Sequence, residues 1–402
     1  MGLAGVACIV VSVRLSMADA LARRPGLPSV TRAVELAPGS ARYLLRQAAL
    51  LEREPVAGGE TAVGHVLERA TSVEPLLAEP WMQLALFEEM HGQSGQAERA
   101  LRHAAEIDHT FKPAWTLANF YARHAAGDPF WTSARHCLQL SEPMAYAPEP
   151  VFDLCWRVSD DPAEILRRAV PPSPWVRASY VAYLAESKRA VPALDAWRTL
   201  DRATQAAPAG PSPALCDLLL ASGEVKRAVE VWNGYAGTRF GQLLDPQQGR
   251  SLTGGNLDRE PTGRGFDWTL PRSNGIHNRY LADEKEVRFD FDGDQPENAE
   301  VLTQNIPVVP GARYRLRFQY QTTGIAPGSD IAWAPVDAAT NVVGKSTCGS
   351  LASAEPVAGE CEFQAGPAQD LVRLALRYSR TLGTLRARGT LRISQVRLER
   401  LA

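Results

Sequence analysis

The sequence predicts a chain of two parts: an α-solenoid of helical hairpins, then an antiparallel jelly-roll β-sandwich. Three observations predict it. Bulky and small residues recur at intervals of about 34 residues up to residue 236, most plainly at Trp81 and Trp115. Beyond residue 265 the apolar period falls to two. Between them residues 237–265 are rich in Gly and polar residues and hold neither period. Residues 1–20 then form an apolar segment, 21–236 the solenoid, 237–250 a linker and 251–402 the sandwich.

The counts fit an ordinary globular protein. The chain has 402 residues, 45% of them hydrophobic and 22% charged, with 6 Cys, which suits two or three domains with substantial cores. Up to residue 240 there are 24 basic residues against 26 acidic, and beyond it 19 against 19. Neither part has the basic excess that phosphate-backbone binding requires, so nucleic acid is not an expected partner.

The first element is unusual. Residues 2–13 are uninterrupted apolar or small residues, and Arg14 follows. A helix of that length spans about 20 Å, short of the roughly 30 Å hydrocarbon core. No basic region precedes it, as a signal peptide would have. Two readings stand: a buried first helix, or the C-terminal part of a membrane anchor that begins upstream of Met1. The second is preferred because such a run is unlike the helices that follow. Gly5-Val6-Ala7-Cys8 lacks the leucine and charged flank of a lipoprotein signal.

The hairpins come next. From Trp81 the pattern continues through Leu84, Ala85, Ala97, Leu101 and Ala104, and from Trp115 through Ala118, Asn119, Trp131, Leu138 and Pro143. Small residues let two antiparallel helices approach closely, and the large ones fill the gaps between hairpins. Leu44, Ala48, Val63, Leu67, Ala70 and Pro75 fit the same frame with an insertion around Ala57-Gly58-Gly59. Ala33 and Pro38 end a half repeat. Trp175, Ala178, Ala193, Trp197 and Leu200, then Leu215, Leu218, Ala228 and Trp232, extend it. Residues 146–171 are degenerate and read as a short helix pair.

This pattern resembles the tetratricopeptide repeat over roughly residues 30–236. The resemblance implies a concave groove for a protein partner, faced by Glu79, Met82, Leu86, Glu89, Thr116, Phe120 and Arg123. An alternative stays open, that Met82, Leu86 and Phe120 only close the core. No Lys/Arg cluster is placed to clamp a partner's terminal carboxylate.

In the last part Val287, Phe289 and Phe291 alternate with charged residues, as do Tyr314, Leu316, Phe318 and Tyr320, and Val372, Leu374, Leu376 and Tyr378. A phase slip at Ser394-Gln395 between Leu391/Ile393 and Val396/Leu398 predicts a β-bulge. Pro310-Gly311 and Pro327-Gly328 mark turns, and eight to ten strands are expected.

The segments 254–268, 304–320 and 330–336, with the closing strands, resemble a carbohydrate-binding module of the family 4/9, galactose-binding-like type. Gly255-Asn256-Leu257-Asp258 departs from that family's opening motif at two positions. The resemblance implies glycan contacts from Trp268, Tyr280 and Trp333 by stacking, and from Arg315, Arg317, Arg373 and Arg377 by hydrogen bonds to an anionic sugar. The alternative is a solvated face whose charges neutralise one another across strands.

No catalytic set emerges. Val343-Gly344-Lys345-Ser346 lacks the upstream Gly of a phosphate loop, where Ala339 stands. Asp290-x-Asp292-x-Asp294 starts like a calcium loop but has Gln295 and Val301 where Gly and Glu belong, so a hairpin turn is expected and no cofactor, a structural calcium in the sandwich being the alternative. The His residues show no zinc spacing, and no G-x-S-x-G elbow occurs. Cys137, Cys155 and Cys216 read as small core residues. Cys348 and Cys361 either pair, in an oxidising compartment, or stay reduced.

The expected function is a non-enzymatic interaction scaffold of the cell envelope, anchored through its N-terminal segment, facing the periplasm or exported, and serving cell-surface polysaccharide export or assembly. The alternative is a soluble, cytoplasmic adaptor whose sandwich packs against protein and binds no sugar.

Overall fold

The structure, a computed structural model, describes residues 2–53, 59–124, 126–240, 243–326 and 329–401, and the side chains of all of these but 2–8, 59 and 238–240. It is an α-solenoid of helical hairpins followed by an antiparallel β-sandwich. Fifteen helices precede eight strands among the described residues. The insertion 57–58 and the turn Pro327-Gly328 lie outside them.

The chain divides into two compact units, Met1–Val176 and Arg177–Ala402. In the first, the helices are α1 (Gly2–Ala22), α2 (Leu27–Leu36), α3 (Ala41–Leu51), α4 (Gly59–Val73), α5 (Ala78–Met90), α6 (Ser94–Ile107), α7 (Phe111–His124), α8 (Asp128–Met144), α9 (Glu149–Val158) and α10 (Pro162–Arg168). The alanines of the repeat do what their size allows: Ala85, Ala97 and Ala104 are buried where α5 meets α6, with Leu84 and Leu101 beside them. Leu44, Ala48, Val63, Leu67 and Ala70 play the same part at α3 and α4. Trp81 closes its repeat by donating from Nε1 to the Pro75 carbonyl, 2.9 Å away. The half repeat at Ala33 is completed by α1, whose Ala18 and Ala22 pack with Ala33, Val34 and Ala37. Ahead of Ala18, α1 leaves that core, and Ile9, Val10, Val11, Val13, Leu15 and Met17 are all exposed. Among the described residues no helix is long and apolar enough to cross a membrane. The degenerate stretch forms the short helices α9 and α10.

The second unit holds α11 (Pro174–Glu186) from Arg177 onward, α12 (Ala190–Trp197), α13 (Arg202–Gln205), α14 (Ser212–Ala221), α15 (Val225–Phe240) and the sandwich. The last hairpin and the sandwich share this unit. Of the expected linker, residues up to Phe240 are helical, and Leu244 is fastened to α15 by both side-chain atoms of Asn233 (2.8 and 2.9 Å). Asp217 of α14 accepts from the Gly265 amide (2.6 Å) and pairs with Arg264 (2.9 Å). Trp232 of α15 is buried with its ring edge against Phe266. Gly265 adopts φ +56°, and a Cβ there would lie 2.6 Å from Trp232, so the close approach demands glycine.

The strands are β1 (Ile276–Leu281), β2 (Glu286–Asp292), β3 (Asn298–Pro307), β4 (Arg313–Thr323), β5 (Ile331–Asp337), β6 (Val357–Gln364), β7 (Leu371–Ser379) and β8 (Arg388–Arg400). They form a five-stranded sheet, β1-β2-β8-β4-β6, and a three-stranded sheet, β3-β7-β5, antiparallel throughout. The expected alternation holds: Val287, Phe289 and Phe291, Tyr314, Leu316 and Phe318, and Val372, Leu374, Leu376 and Tyr378 meet in one core. Gly311, at φ +74°, makes the turn between β3 and β4. The phase slip at Ser394-Gln395 is a bulge, with the β4–β8 register shifting between Arg317 and Gln319 and Gln395 at φ +51°. The bulge frees the Val396 amide, which donates to the Gly255 carbonyl at 2.8 Å and pins the opening segment to the last strand.

Candidate functional site

The residues expected to face the groove lie along α5 and α7, one repeat apart. Most of them meet each other. Glu79 takes the ammonium of Lys112, and Thr116 Oγ1 lies 3.8 Å from Met82 Sδ. Arg123 grips Glu89 with two hydrogen bonds, 2.8 and 2.9 Å, and His124 Nε2 lies 2.7 Å from the same carboxylate. These offsets of 33 to 35 residues are the repeat length, so the pairs are rungs between successive hairpins. Arg123, against partial burial and with help from His124, holds the Glu89 carboxyl below its usual range. Burial raises Glu79, but Lys112 and Gln83 outweigh it and bring that carboxyl below its usual range too.

Two of the expected groove contacts are corrected. Met82 and Phe120 are 7% and 2% exposed, buried rather than open to a partner. A side chain at a repeat interface is covered by its counterpart one repeat on, as Met82 is by Thr116. Leu86, on the same face, stays half exposed, and Met90 one turn further along α5 is more exposed still. The pair Leu86 and Met90, flanked by the Glu79–Lys112 and Glu89–Arg123–His124 rungs, makes an amphipathic strip. Lys112, His124 and Met90 were not expected there. Complementary charges one repeat apart are the signal that finds the first two.

The sandwich corrects the expected glycan contacts more sharply. Trp268 and Trp333 are each 1% exposed, packed on one another with ring centroids 6.0 Å apart. Neither presents a face for a sugar to stack on. Ile331 and Trp333 share the inward phase of β5, and that phase buries the indole. Tyr280 is half-buried and gives its hydroxyl proton to the Leu257 carbonyl at 3.0 Å.

The four arginines do not form one array. β4 lies in the five-stranded sheet and β7 in the three-stranded one, so outward residues of the two strands stand on opposite faces of the sandwich. On the first face Arg315 binds Glu362 (2.8 Å) and Glu360 (3.2 Å), and Arg317 binds Glu360 (2.7 Å) and Glu399 (3.2 Å). Arg315 and Arg313 hold the Glu362 carboxyl below its usual range. On the second face Arg373 is taken by Glu300 (3.0 Å) and Asn341 (2.8 Å). Arg377 stands across from Glu300 in the ladder, and Ala332 flanks it on the other side. Three of the four guanidiniums thus neutralise carboxylates across strands.

The remaining motifs resolve into local structure. Val343 bridges to Val336, the Gly344 amide donates to the Pro335 carbonyl, and Ser346 bridges to Phe363. The segment is loop between strands, without the helix a phosphate loop needs. Asp292 caps a turn by accepting from the Asp294 amide (2.8 Å), while Asp290 is held by Arg288 and Thr390. Among the described residues no group of three or more His, Cys, Asp or Glu is placed to hold a metal ion. Cys348 and Cys361 form a disulfide. Cys137 and Cys155 are buried thiols that desolvation pushes up to about 12, and Cys216 is raised well above its usual value the same way.

No family model and no curated protein matches the chain. Among solved structures it is similar to one described as "CBM4 structure and function", at 12% identity over 38% of this chain and 100% of that one, with a TM-score of 0.29. It is similar to MamA at 14% identity over 37% of this chain and 75% of that one, TM-score 0.22. YrrB, described as a TPR protein with an unusual peptide-binding site, matches at 10% identity over 53% and 94%, TM-score 0.23. Likenesses at this level say nothing of ligands, and the fold stands on the helix and strand geometry itself.

Proposed function

We propose that this chain is a non-enzymatic protein-interaction scaffold of the cell envelope, with α1 as its membrane attachment and the sandwich as a packing module. The observation that carries the scaffold role is the strip on α5. Leu86 and Met90 stay exposed on the face where Met82 is closed by the next hairpin, and charged rungs stand to either side. An amphipathic partner segment with an apolar anchor between polar flanks suits that strip. The Cys348–Cys361 bond supports an oxidising location, and the exposed apolar residues of α1 support attachment there. A part in polysaccharide export or assembly stays with the scaffold only as the business of its partner. The burial of Trp268 and Trp333 and the pairing of Arg315, Arg317 and Arg373 favour a sandwich that packs against protein.

The test is photo-crosslinking in the native cells from a probe at Leu86 or Met90, with a control probe at Glu106 on the exposed side of α6. A discrete adduct from the first two and none from Glu106 is expected; no adduct from either sinks the groove. In the same preparation, denaturing alkylation without reductant should label Cys8, Cys137, Cys155 and Cys216 and spare Cys348 and Cys361. Labelling of all six would move the chain to a reducing compartment.

A further inference from the structure

One end of the sandwich carries a feature that the scaffold role does not use. The loop between β7 and β8 holds Leu382 and Leu385, exposed at 95% and 92%, the two most exposed large apolar side chains among the described residues. Single exposed leucines are common, but two on one short loop need a reason. This loop is fastened at both ends. The Arg380 amide donates to the Glu297 carbonyl (2.7 Å), its guanidinium pairs with the Glu297 carboxylate (3.1 Å), and its Nε reaches the Thr384 carbonyl (3.0 Å). At the other end the fully buried Gln295 donates to the Ala387 carbonyl (2.8 Å), and the Ala387 amide reaches the Tyr378 hydroxyl (3.3 Å). Gly383, at φ +85°, makes the turn between. The backbone is thus held so that the leucines point away from a core only a few residues distant.

Beside them opens a cleft of about 700 Å³, lined by Gly293, Gly324 and Ser329 and by Arg380, Arg386 and Arg388. Arg380 is spent on Glu297. Among the described residues no ion pair engages Arg386 or Arg388. Two uncommitted guanidiniums at the mouth of a cleft, with two leucines projecting beside it, match a surface that is anionic outside and apolar beneath.

We infer that the loop 380–388 contacts an anionic lipid bilayer, Leu382 and Leu385 entering the acyl boundary while Arg386 and Arg388 pair with headgroup phosphate. An acidic polysaccharide or a free anion satisfies the arginines but leaves the leucines in water, so the lipid surface accounts for both. The contact is separate from α1 and does not rest on the scaffold role.

The experiment is co-sedimentation of the full chain with phosphatidylcholine vesicles containing about one third phosphatidylglycerol, beside pure phosphatidylcholine vesicles. It is run in the unaltered chain and in V10S/V13S, which weakens α1 as a competing contact. In both, L382S/L385S lowers the partition coefficient at least tenfold, in keeping with the transfer of two leucine side chains. R386A/R388A lowers it by roughly tenfold on anionic vesicles in low salt and has little effect on neutral ones. Far-ultraviolet circular dichroism confirms that each variant is folded. Unchanged partition for both loop variants overturns the inference. So does loss of all vesicle binding in V10S/V13S. Competition by millimolar inorganic phosphate that the leucine variant does not alter assigns a free-anion site instead, and binding to soluble alginate with indifference to vesicles assigns a polysaccharide; either overturns it.

Discussion

The first hairpins and the sandwich are held together by opposite means. At α3 to α8 the pairings join neighbouring helices: buried alanines recur at the helix–helix seams, and between α5 and α7 side-chain rungs span an offset of 33 to 35 residues. In the sandwich the pairings are long-range and unrepeated: β8 lies between β2 and β4, and one core gathers Trp268, Trp333, Phe318 and Tyr378 from distant segments. Damage to a seam alanine therefore loosens two neighbouring helices, whereas damage to a sandwich aromatic reaches both sheets.

The largest effect is expected at Trp333, which packs on Trp268 and Phe318. Trp333→Ala removes a fully buried indole and should cost about 3–5 kcal/mol. Urea unfolding followed by near-ultraviolet circular dichroism should show the transition of residues 177–402 moved to lower denaturant, with that of residues 1–176 in place. Trp333→Phe should cost far less than Trp333→Ala, because the indole N–H has no hydrogen-bond partner among the described residues to lose. Equal losses for the two would show that the ring's bulk is not what matters.

A middle effect is expected at the seam. Ala97 has no exposed surface, and Ala97→Leu drives three further carbon atoms into the α5–α6 contact, costing about 1–3 kcal/mol. The transition of residues 1–176 should move and that of the sandwich stay. A neutral Ala97→Leu would mean that the seam has slack and that the small residue is not required.

How much of this was legible follows from what each pattern encodes. The period-34 alanines and the period-two aromatics are local, and they located hairpins, strands and even the bulge at Gln395. Strand phase tells inward from outward but not which sheet a strand joins. Arg315 and Arg373 share an outward phase yet stand on opposite faces for that reason. The resemblance places Trp333 on a sugar, whereas the inward phase it shares with Ile331 buries it. Along α5 and α7, position in the repeat does not tell Met82 and Phe120 from Leu86, because burial depends on what packs on each side chain. The leucines at 382 and 385 offer no period at all, since their exposure is fixed by buried Gln295 and Tyr378 at a distance.

The Glu89 rung should matter least to stability, and its substitution tests whether such rungs stabilise or only decorate. Glu89 is largely covered, while Arg123 is about half exposed, so the pair should contribute no more than about 1 kcal/mol. Glu89→Gln keeps the shape and removes the charge. The Glu89 carboxyl is held below its usual range by Arg123, so its share of stability is present above the ordinary carboxylate pKa. That share is lost as the pH falls through the lowered value. The unaltered helical unit should therefore lose stability on acidification slightly more steeply than Glu89→Gln, and the two should converge at the acid end. Added salt should shrink the gap at neutral pH only in part, since Glu89 is shielded from solvent. Parallel pH profiles for the two proteins would mean that Arg123 and His124 gain as much from water as from Glu89. This rung would then add nothing to the buried alanines and leucines that pack the hairpins.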